Sequence, residues 1–157
     1  MIELSDVPYE SWSDANLPID VLLIVENGFE LSSCLSFLDQ LFKSDNNEVG
    51  HVYFGRIGNA CNEEKLNVAL VKFSKAAASL EGSLTGEMKA VEILQPKAVF
   101  FVGTCIGLTS KKVSLVDVVI PSALTAAVGS KVLTSPRLGD LARDVTSKWD
   151  APLQSPV

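Results

Sequence analysis

The chain has 157 residues, which suits one domain in the usual range of roughly 100 to 200 residues. Hydrophobic residues make up 47% and charged residues 20%, a balance that can bury a core and excludes a disordered chain. The 13 basic and 19 acidic residues give a net charge of −6, so no broad basic surface is available for a nucleic acid. No apolar run approaches the roughly 20 residues of a membrane-spanning helix. We therefore expect neither nucleic acid nor a membrane as partner.

The cysteines predict a reducing compartment. Cys34, Cys61 and Cys105 are far apart, no Cys-x-x-Cys motif occurs, and His51 is the only histidine. A zinc site needs about four such ligands at suitable spacing, so we expect no metal. The odd number of cysteines and the acidic opening of the chain predict a cytoplasmic location.

The first 19 residues differ in composition from the rest. They are polar and acidic and include Pro8 and Pro18, which indicates a lead-in segment that packs late or not at all. We expect the folded domain to span residues 20–157.

The folded part begins with a predicted strand and helix. Residues 21–25 are β-branched or leucine throughout, which is typical of a strand covered on both faces, and a turn follows at residues 26–28. A helix ending at residues 45–47 is then predicted, because apolar side chains recur at three- and four-residue steps. These side chains are Leu31, Cys34, Leu35, Leu38, Leu41 and Phe42.

Two strands at residues 49–57 and 66–73 come next, and the polar loop between them favours a hairpin. The later predicted elements are a helix at 84–94, a strand at 98–102 buried on both faces, a strand at 115–120 and a helix from about 136 to 149.

Alternating strands and helices with apolar central strands predict an α/β fold, with a mixed, mainly parallel sheet flanked by helices. Ligands of such sheets collect at the carboxyl ends of the strands. Two bends, at residues 26–30 and 103–108, follow strands predicted to be buried. We expect these bends to meet at one edge of the sheet and to form one wall of a pocket.

The second bend combines glycines with polar side chains. Gly103 and Gly107 flank Thr104 and Cys105, so backbone N–H groups can approach a ligand while a hydroxyl donates a directional hydrogen bond. The spacing is neither that of a dinucleotide-binding motif nor that of a P-loop. The residues alone therefore indicate only a small polar ligand.

The segments 94–108 and 113–121 resemble the core of the nucleoside phosphorylase superfamily, which includes purine and uridine phosphorylases and the methylthioadenosine/S-adenosylhomocysteine nucleosidases. In that family a strand leads into a Gly-Ser/Thr-small-Gly-Gly-Leu turn and then into a Gly-Asp-Val-Val strand. Residues 103–108 are similar to the turn, and Asp117-Val118-Val119 is similar to the later strand. The resemblance covers about residues 20–121.

The resemblance implies a three-layer phosphorylase/hydrolase-like fold and cleavage of the N-glycosidic bond of a purine nucleoside or nucleotide, without a cofactor. Glu30 matches the carboxylate that activates the attacking water. The residues implied to contact ribose, phosphate or base are Gly103, Thr104, Cys105, Ile106 and Gly107. Hydrolysis is favoured over phosphorolysis, in which phosphate is a second substrate, because residues 73–83 replace the glycine-rich phosphate loop of the family.

Other features favour a different class of protein. The chain ends where the family's second half, with its acidic ribose-binding motif and the aspartate that protonates the base, begins. We therefore expect a partial domain that is inactive alone and self-associates into a homo-oligomer through its unpaired sheet edge. Whether the chain is an enzyme stays open. The alternatives are a non-catalytic nucleoside-binding or oligomerisation module, and a flavodoxin-like domain.

Simpler roles are also open for the individual residues. Glu30 suits the first turn of a helix, where the helix dipole favours a carboxylate. Cys34 and Cys105 are expected to be buried, inert thiols, and His51 to be packed or solvated on a strand edge.

Overall fold

A computed structural model describes residues 2–58, 65–73, 80–105, 118–120, 123–125, 131–133, 136 and 139–140. Within these ranges the strands are β1 (Val21–Val25), β2 (Asp39–Asn46), β3 (Gly50–Ile57), β4 (Leu66–Lys72), β5 (Ala98–Val102), β6 (Ala123–Thr125) and β7 (Lys131–Leu133), and the helices are α1 (Gly28–Leu35) and α2 (Leu80–Leu94). The chain divides into two compact units, Met1–Cys105 and Ile106–Val157.

The first unit is built on a five-stranded sheet with the order β2-β3-β4-β1-β5. The central strand β1 pairs in parallel with β4 and β5, whereas β3 pairs antiparallel with β2 and β4. The predicted hairpin is therefore present as β3 and β4. The α/β class and the mixed sheet are confirmed, and two of the four pairings described within this five-stranded sheet are parallel, rather than the majority.

Apolar side chains of the sheet form two clusters, one for each helix. Leu31 and Leu35 of α1 pack in the cluster that contains Val25. Ala90 and Leu94 of α2 belong to the other cluster, which contains neighbouring strand residues such as Leu22 and Ala69. Because successive strand residues point to opposite faces, a continuous apolar strand serves both clusters. Each fully buried aliphatic side chain stabilises the fold by about 1.5 to 3 kcal/mol relative to its exposed state.

The predicted continuation of the first helix to residues 45–47 is wrong. Helix α1 ends at Leu35, and residues 39–46 form β2 instead. The Phe42 ring of β2 stacks on the Phe54 ring of β3 with centroids 5.0 Å apart. Antiparallel pairing with β3, the next strand along the chain, thus overrides a local apolar spacing that fits a helix.

The expectation that β5 is buried on both faces is also wrong. β5 is an edge strand of the five-stranded sheet, and Phe100 and Phe101 are 40% and 64% exposed. An apolar run is typical of a strand covered on both sides, and in β5 that composition does not coincide with burial. Val102, the last residue of the strand, is likewise exposed.

Within the first unit, the amino-terminal segment packs against the five-stranded sheet rather than remaining unattached. Val7 and Ile19 are buried, and the Trp12 ring contacts the Phe54 ring edge-on at a centroid distance of 5.5 Å. A backbone bridge also joins Tyr9 to Lys43 of β2. Trp12 therefore anchors the segment, as expected for a single large aromatic side chain in a flanking segment.

The second unit contains β6 and β7, which form an antiparallel pair. Residues 118–120 of the strand predicted at 115–120 are not in a strand, and its residues 115–117 lie outside the described residues. Most of the helix predicted from about 136 to 149 also lies outside them. Among the described residues, no helix is both long enough and apolar enough to cross a bilayer.

Candidate functional site

The two predicted bends lie at the same edge of the sheet. β1 and β5 are parallel neighbours, and their last residues, Val25 and Val102, are paired in register. Residues 26–30 and 103–105 therefore leave the sheet side by side, at the carboxyl ends of the two strands. This is the edge at which open α/β sheets bind ligands.

The first bend is held by a capping box at the start of α1. The Asn27 side-chain oxygen accepts a hydrogen bond from the Glu30 backbone N–H at 3.0 Å. In return, Glu30 Oε2 accepts from the backbone N–H of Asn27 at 3.2 Å and from that of Glu26 at 3.0 Å. The box satisfies N–H groups that the first turn of a helix otherwise leaves unpaired.

Glu30 also holds the second bend. Its other carboxylate oxygen, Oε1, accepts a hydrogen bond from the backbone N–H of Thr104 at 3.0 Å. Gly103 lies beside this bond, and a Cβ atom at this position would be 3.4 Å from Oε1, about van der Waals distance. One carboxylate thus binds three backbone N–H groups and joins the two bends. We call this arrangement the Glu30 clasp.

The hydrogen bonds determine the protonation state of Glu30. Partial burial alone raises the pKa of the carboxyl group, but donation from the N–H groups of Glu26, Thr104 and Asn27, together with the Asn27 side chain, outweighs it and lowers the pKa. The carboxylate is therefore ionised at neutral pH. It is a weaker base than an ordinary glutamate, but it is a fixed negative charge that can stabilise a cation nearby.

Of the other predicted site residues in the second bend, Thr104 and Cys105 are among the described residues. Thr104 contributes its backbone N–H, while its side chain is exposed. Cys105 is exposed, so the expectation that its thiol is buried is wrong, because the chain has already left the sheet at this position. Ile106 and Gly107 lie outside the described residues.

Cys34 lies one helical turn after Glu30 and is partly buried. Burial raises the pKa of its thiol, and the negative charge of Glu30 raises it further. A thiol with a raised pKa is mostly protonated at neutral pH and reacts slowly as a nucleophile. The role expected for Cys34, an inert packed thiol, agrees with this environment.

His51 is remote from the bends in the chain and is exposed on β3, where its Nδ1 atom contacts Asp45 Oδ1. The Tyr9 hydroxyl donates to the other oxygen of Asp45 at 3.3 Å. The expectation of a solvated histidine on a strand therefore agrees with the structure.

Sequence reasoning missed the role of Asn27. The pattern Asn27-Gly28-Phe29-Glu30 has the spacing of a capping box, with a capping residue followed three positions later by a glutamate. That signal was sufficient to predict one half of the clasp. The half formed by Thr104 depends on a contact across 74 positions of sequence and has no local signature.

Among the described residues, no group of three or more His, Cys, Asp or Glu side chains is arranged to hold a metal ion. The chain matches no protein-family model, and no curated protein or solved structure gives a significant match to it.

Proposed function

We propose that the joined bends bind a purine nucleoside or nucleotide. We further propose that the domain is related to enzymes that cleave the N-glycosidic bond of such molecules. The single observation that supports this most is the Glu30 clasp, because it brings a fixed carboxylate next to a glycine-containing bend at the carboxyl ends of parallel strands. The sequence resemblance assigns the sugar and the base to these same bends.

The chemistry of the bond suits such a carboxylate. Breaking an N-glycosidic bond builds positive charge on the ribose, and a nearby negative charge stabilises that state. Glu30 is held ionised by backbone N–H groups, so its charge does not depend on a neighbouring cation. By resemblance, Thr104 and Cys105 lie near the sugar and the base, within a three-layer phosphorylase/hydrolase-like fold.

A second candidate function is binding of the nucleoside without cleavage. The specific observation in its favour is that both oxygens of Glu30 already accept hydrogen bonds, from the N–H groups of Glu26, Asn27 and Thr104. A general base must face the proton that it removes. We therefore expect binding with little or no turnover by this chain alone.

Calorimetric titration with adenosine and inosine, with uridine as a comparison, tests the binding site. We expect the purine nucleosides to bind and Glu30→Gln to weaken binding about tenfold, through loss of the charge. Glu3→Gln, at an exposed glutamate remote in sequence from both bends, is the matched control and should bind as the unchanged chain does. Absence of binding by either purine nucleoside, or equal binding by Glu30→Gln, contradicts the proposal.

Release of the free base, followed by chromatography in the same samples, separates the two candidate functions. Release that disappears in Glu30→Gln supports the enzyme. Binding without release supports the binding module.

A further inference from the structure

A pocket lies at the other end of β1, away from the joined bends. Its lining includes Ile19, just before β1, as well as Asn67 and Val68, at the beginning of β4. β1 has five residues, so four steps of about 3.3 Å place the Cα atoms of its first and last residues about 13 Å apart. The pocket has a volume of about 240 Å³.

One side of this pocket is apolar. Ile19 is buried, and the stacked rings of Phe42 and Phe54 also line the pocket. The Phe54 ring is fixed from another direction by its edge contact with Trp12. This gives a rigid surface on which a small apolar group can lie.

The remaining lining is polar and includes charges of both signs. Arg56, at the end of β3, is partly buried, and the acidic residues Glu10 and Asp14 come from the amino-terminal segment. Asp14 is held in place because Oδ2 accepts a hydrogen bond from the Ser11 N–H at 3.2 Å. Within the described part of the chain, the side chains of Arg56 and Glu10 form no ion pair or hydrogen bond.

A distorted stretch of β2 adds an amide to the same pocket. The pairing of β2 with β3 changes register between Asp39 and Phe42, and Gln40 within this bulge has a φ of 54°. A non-glycine residue adopts this left-handed conformation at a cost in energy, and bulges commonly redirect a side chain next to a binding site. Gln40 lines the pocket.

We propose that this pocket binds a small zwitterion, namely a free α-amino acid with an apolar side chain. Arg56 pairs with the carboxylate, since a guanidinium group presents two parallel N–H donors to such an anion. Glu10 and Asp14 bind the ammonium group. The apolar side chain lies on Phe42 and Phe54. A ligand with a single charge leaves part of this lining unpaired, whereas a zwitterion engages both signs. The assignment is independent of nucleoside binding at the opposite end of β1.

Calorimetric titration with leucine tests this assignment, with isovalerate and isopentylamine as probes that keep the apolar group and only one of the two charges. We expect leucine to bind and each single-charge probe to bind at least about tenfold more weakly, since each loses a charge-assisted hydrogen bond. Arg56→Gln and Glu10→Gln should each weaken leucine binding about tenfold.

Lys89→Gln is the control for loss of a positive charge, because Lys89 lies on α2 and pairs with Glu48 rather than lining the pocket. It should bind leucine as the unchanged chain does. Circular dichroism verifies that each variant is folded. Glu10 is exposed and has no side-chain partner among the described residues, so Glu10→Gln remains informative if Arg56→Gln does not fold. No detectable binding of leucine, equal binding by both pocket variants, or isopentylamine binding as tightly as leucine overturns the assignment.

Discussion

A carboxylate lies at each end of β1, and the two carboxylates are held by different partners. Asp20, just before the strand, accepts the Asn67 N–H at 2.8 Å and the Lys97 ammonium at 2.6 Å. Glu30, after the strand, accepts only backbone N–H groups, those of Glu26, Asn27 and Thr104. Asp20 therefore joins β1 to β4 and to the start of β5, whereas Glu30 joins the ends of β1 and β5.

The two ends of β1 are therefore stabilised by different interactions, an ion pair at Asp20 and backbone N–H donors at Glu30. Lys97 is 75% exposed, so its bond to Asp20 is partly screened by water and salt. The partners of Glu30 are peptide dipoles fixed by the bends themselves and cannot move away independently. Consequently, the end assigned to the nucleoside should be less sensitive to salt than the end next to the pocket that Arg56 lines.

The largest expected effect is that of removing the Asp20 carboxylate. The Asp20 side chain is only 18% exposed, so Asp20→Ala leaves the Asn67 N–H without its partner in a poorly solvated place. We expect the free energy of unfolding to fall by about 2 kcal/mol. Urea titration followed by circular dichroism measures this. Asp6→Asn, at an exposed position, is the control, and a loss no larger than that of the control would refute the role given to Asp20.

Removing the Glu30 carboxylate should have a smaller effect. Glu30→Ala removes one half of the capping box and the bond to Thr104, but water can reach the freed groups more easily than at Asn67. We expect a loss of about 1 to 1.5 kcal/mol, and about half of that for Glu30→Gln, whose amide oxygen still accepts. The same urea titration applies, with Glu3→Gln as control. If Glu30→Ala unfolds at the same urea concentration as the control, the carboxylate does not secure the bends.

Acid should lower the free energy of unfolding through both carboxylates, because the pKa values of Asp20 and Glu30 are lowered in the folded state. The bond to Lys97 and the Asn67 N–H lower the pKa of Asp20 below its ordinary 3.8; at Glu30, N–H donation outweighs burial and lowers the pKa below its ordinary 4.5. A carboxylate with a lowered pKa in the folded state stabilises the fold fully above its ordinary pKa, and this contribution is lost as the pH falls through the folded value.

Unfolding free energies should therefore decrease below about pH 4.5, and Asp20→Asn and Glu30→Gln should each flatten part of this decrease. Urea titrations at pH 7, 5, 4 and 3 measure the effect. If the unfolding free energy of both variants falls with pH as steeply as that of the unchanged chain, neither carboxyl group causes the decrease.

The smallest expected effect is a difference in salt dependence between the two ends of β1. Lys97→Gln removes an exposed ion pair, which is worth about 0.5 kcal/mol at low ionic strength and close to nothing at about 1 M salt. The cost of Glu30→Gln should change little over the same range, because its partners are uncharged. Urea titrations of both variants at the two salt concentrations measure this. If Glu30→Gln proves the more salt-dependent of the two, the comparison fails.

Local sequence signals predicted the parts of the fold that depend on neighbouring residues. The apolar run of β1, the hairpin of β3 and β4, and helix α2 all follow from composition and spacing. The same reasoning gave a helix where β2 lies, because Leu38, Leu41 and Phe42 have helical spacing. The backbone pairing of β2 with β3, together with the contact of Phe42 with Phe54, favours a strand, and neither is visible in the apolar spacing of residues 38–42 alone.

In the candidate site, too, the local features could be predicted from the sequence and the contacts between distant residues could not. The position of Glu30 in the first turn of a helix was expected, and Asn27 completes a recognisable capping box. The bond between Glu30 and Thr104 and the pairing of Asp20 with Lys97 span 74 and 77 positions of sequence. They exist because β5 is placed beside β1, which is a consequence of the sheet order and not of local composition.

A pH titration of backbone amide proton chemical shifts by NMR tests the Glu30 clasp most directly. An amide proton that donates to a carboxylate shifts when that carboxylate is protonated. We predict that the amide protons of Glu26, Asn27 and Thr104 shift together through one transition below pH 4.5, and that Glu30→Gln abolishes it in all three. A Thr104 amide that does not follow this transition, while those of Glu26 and Asn27 do, would contradict the joining of the two bends.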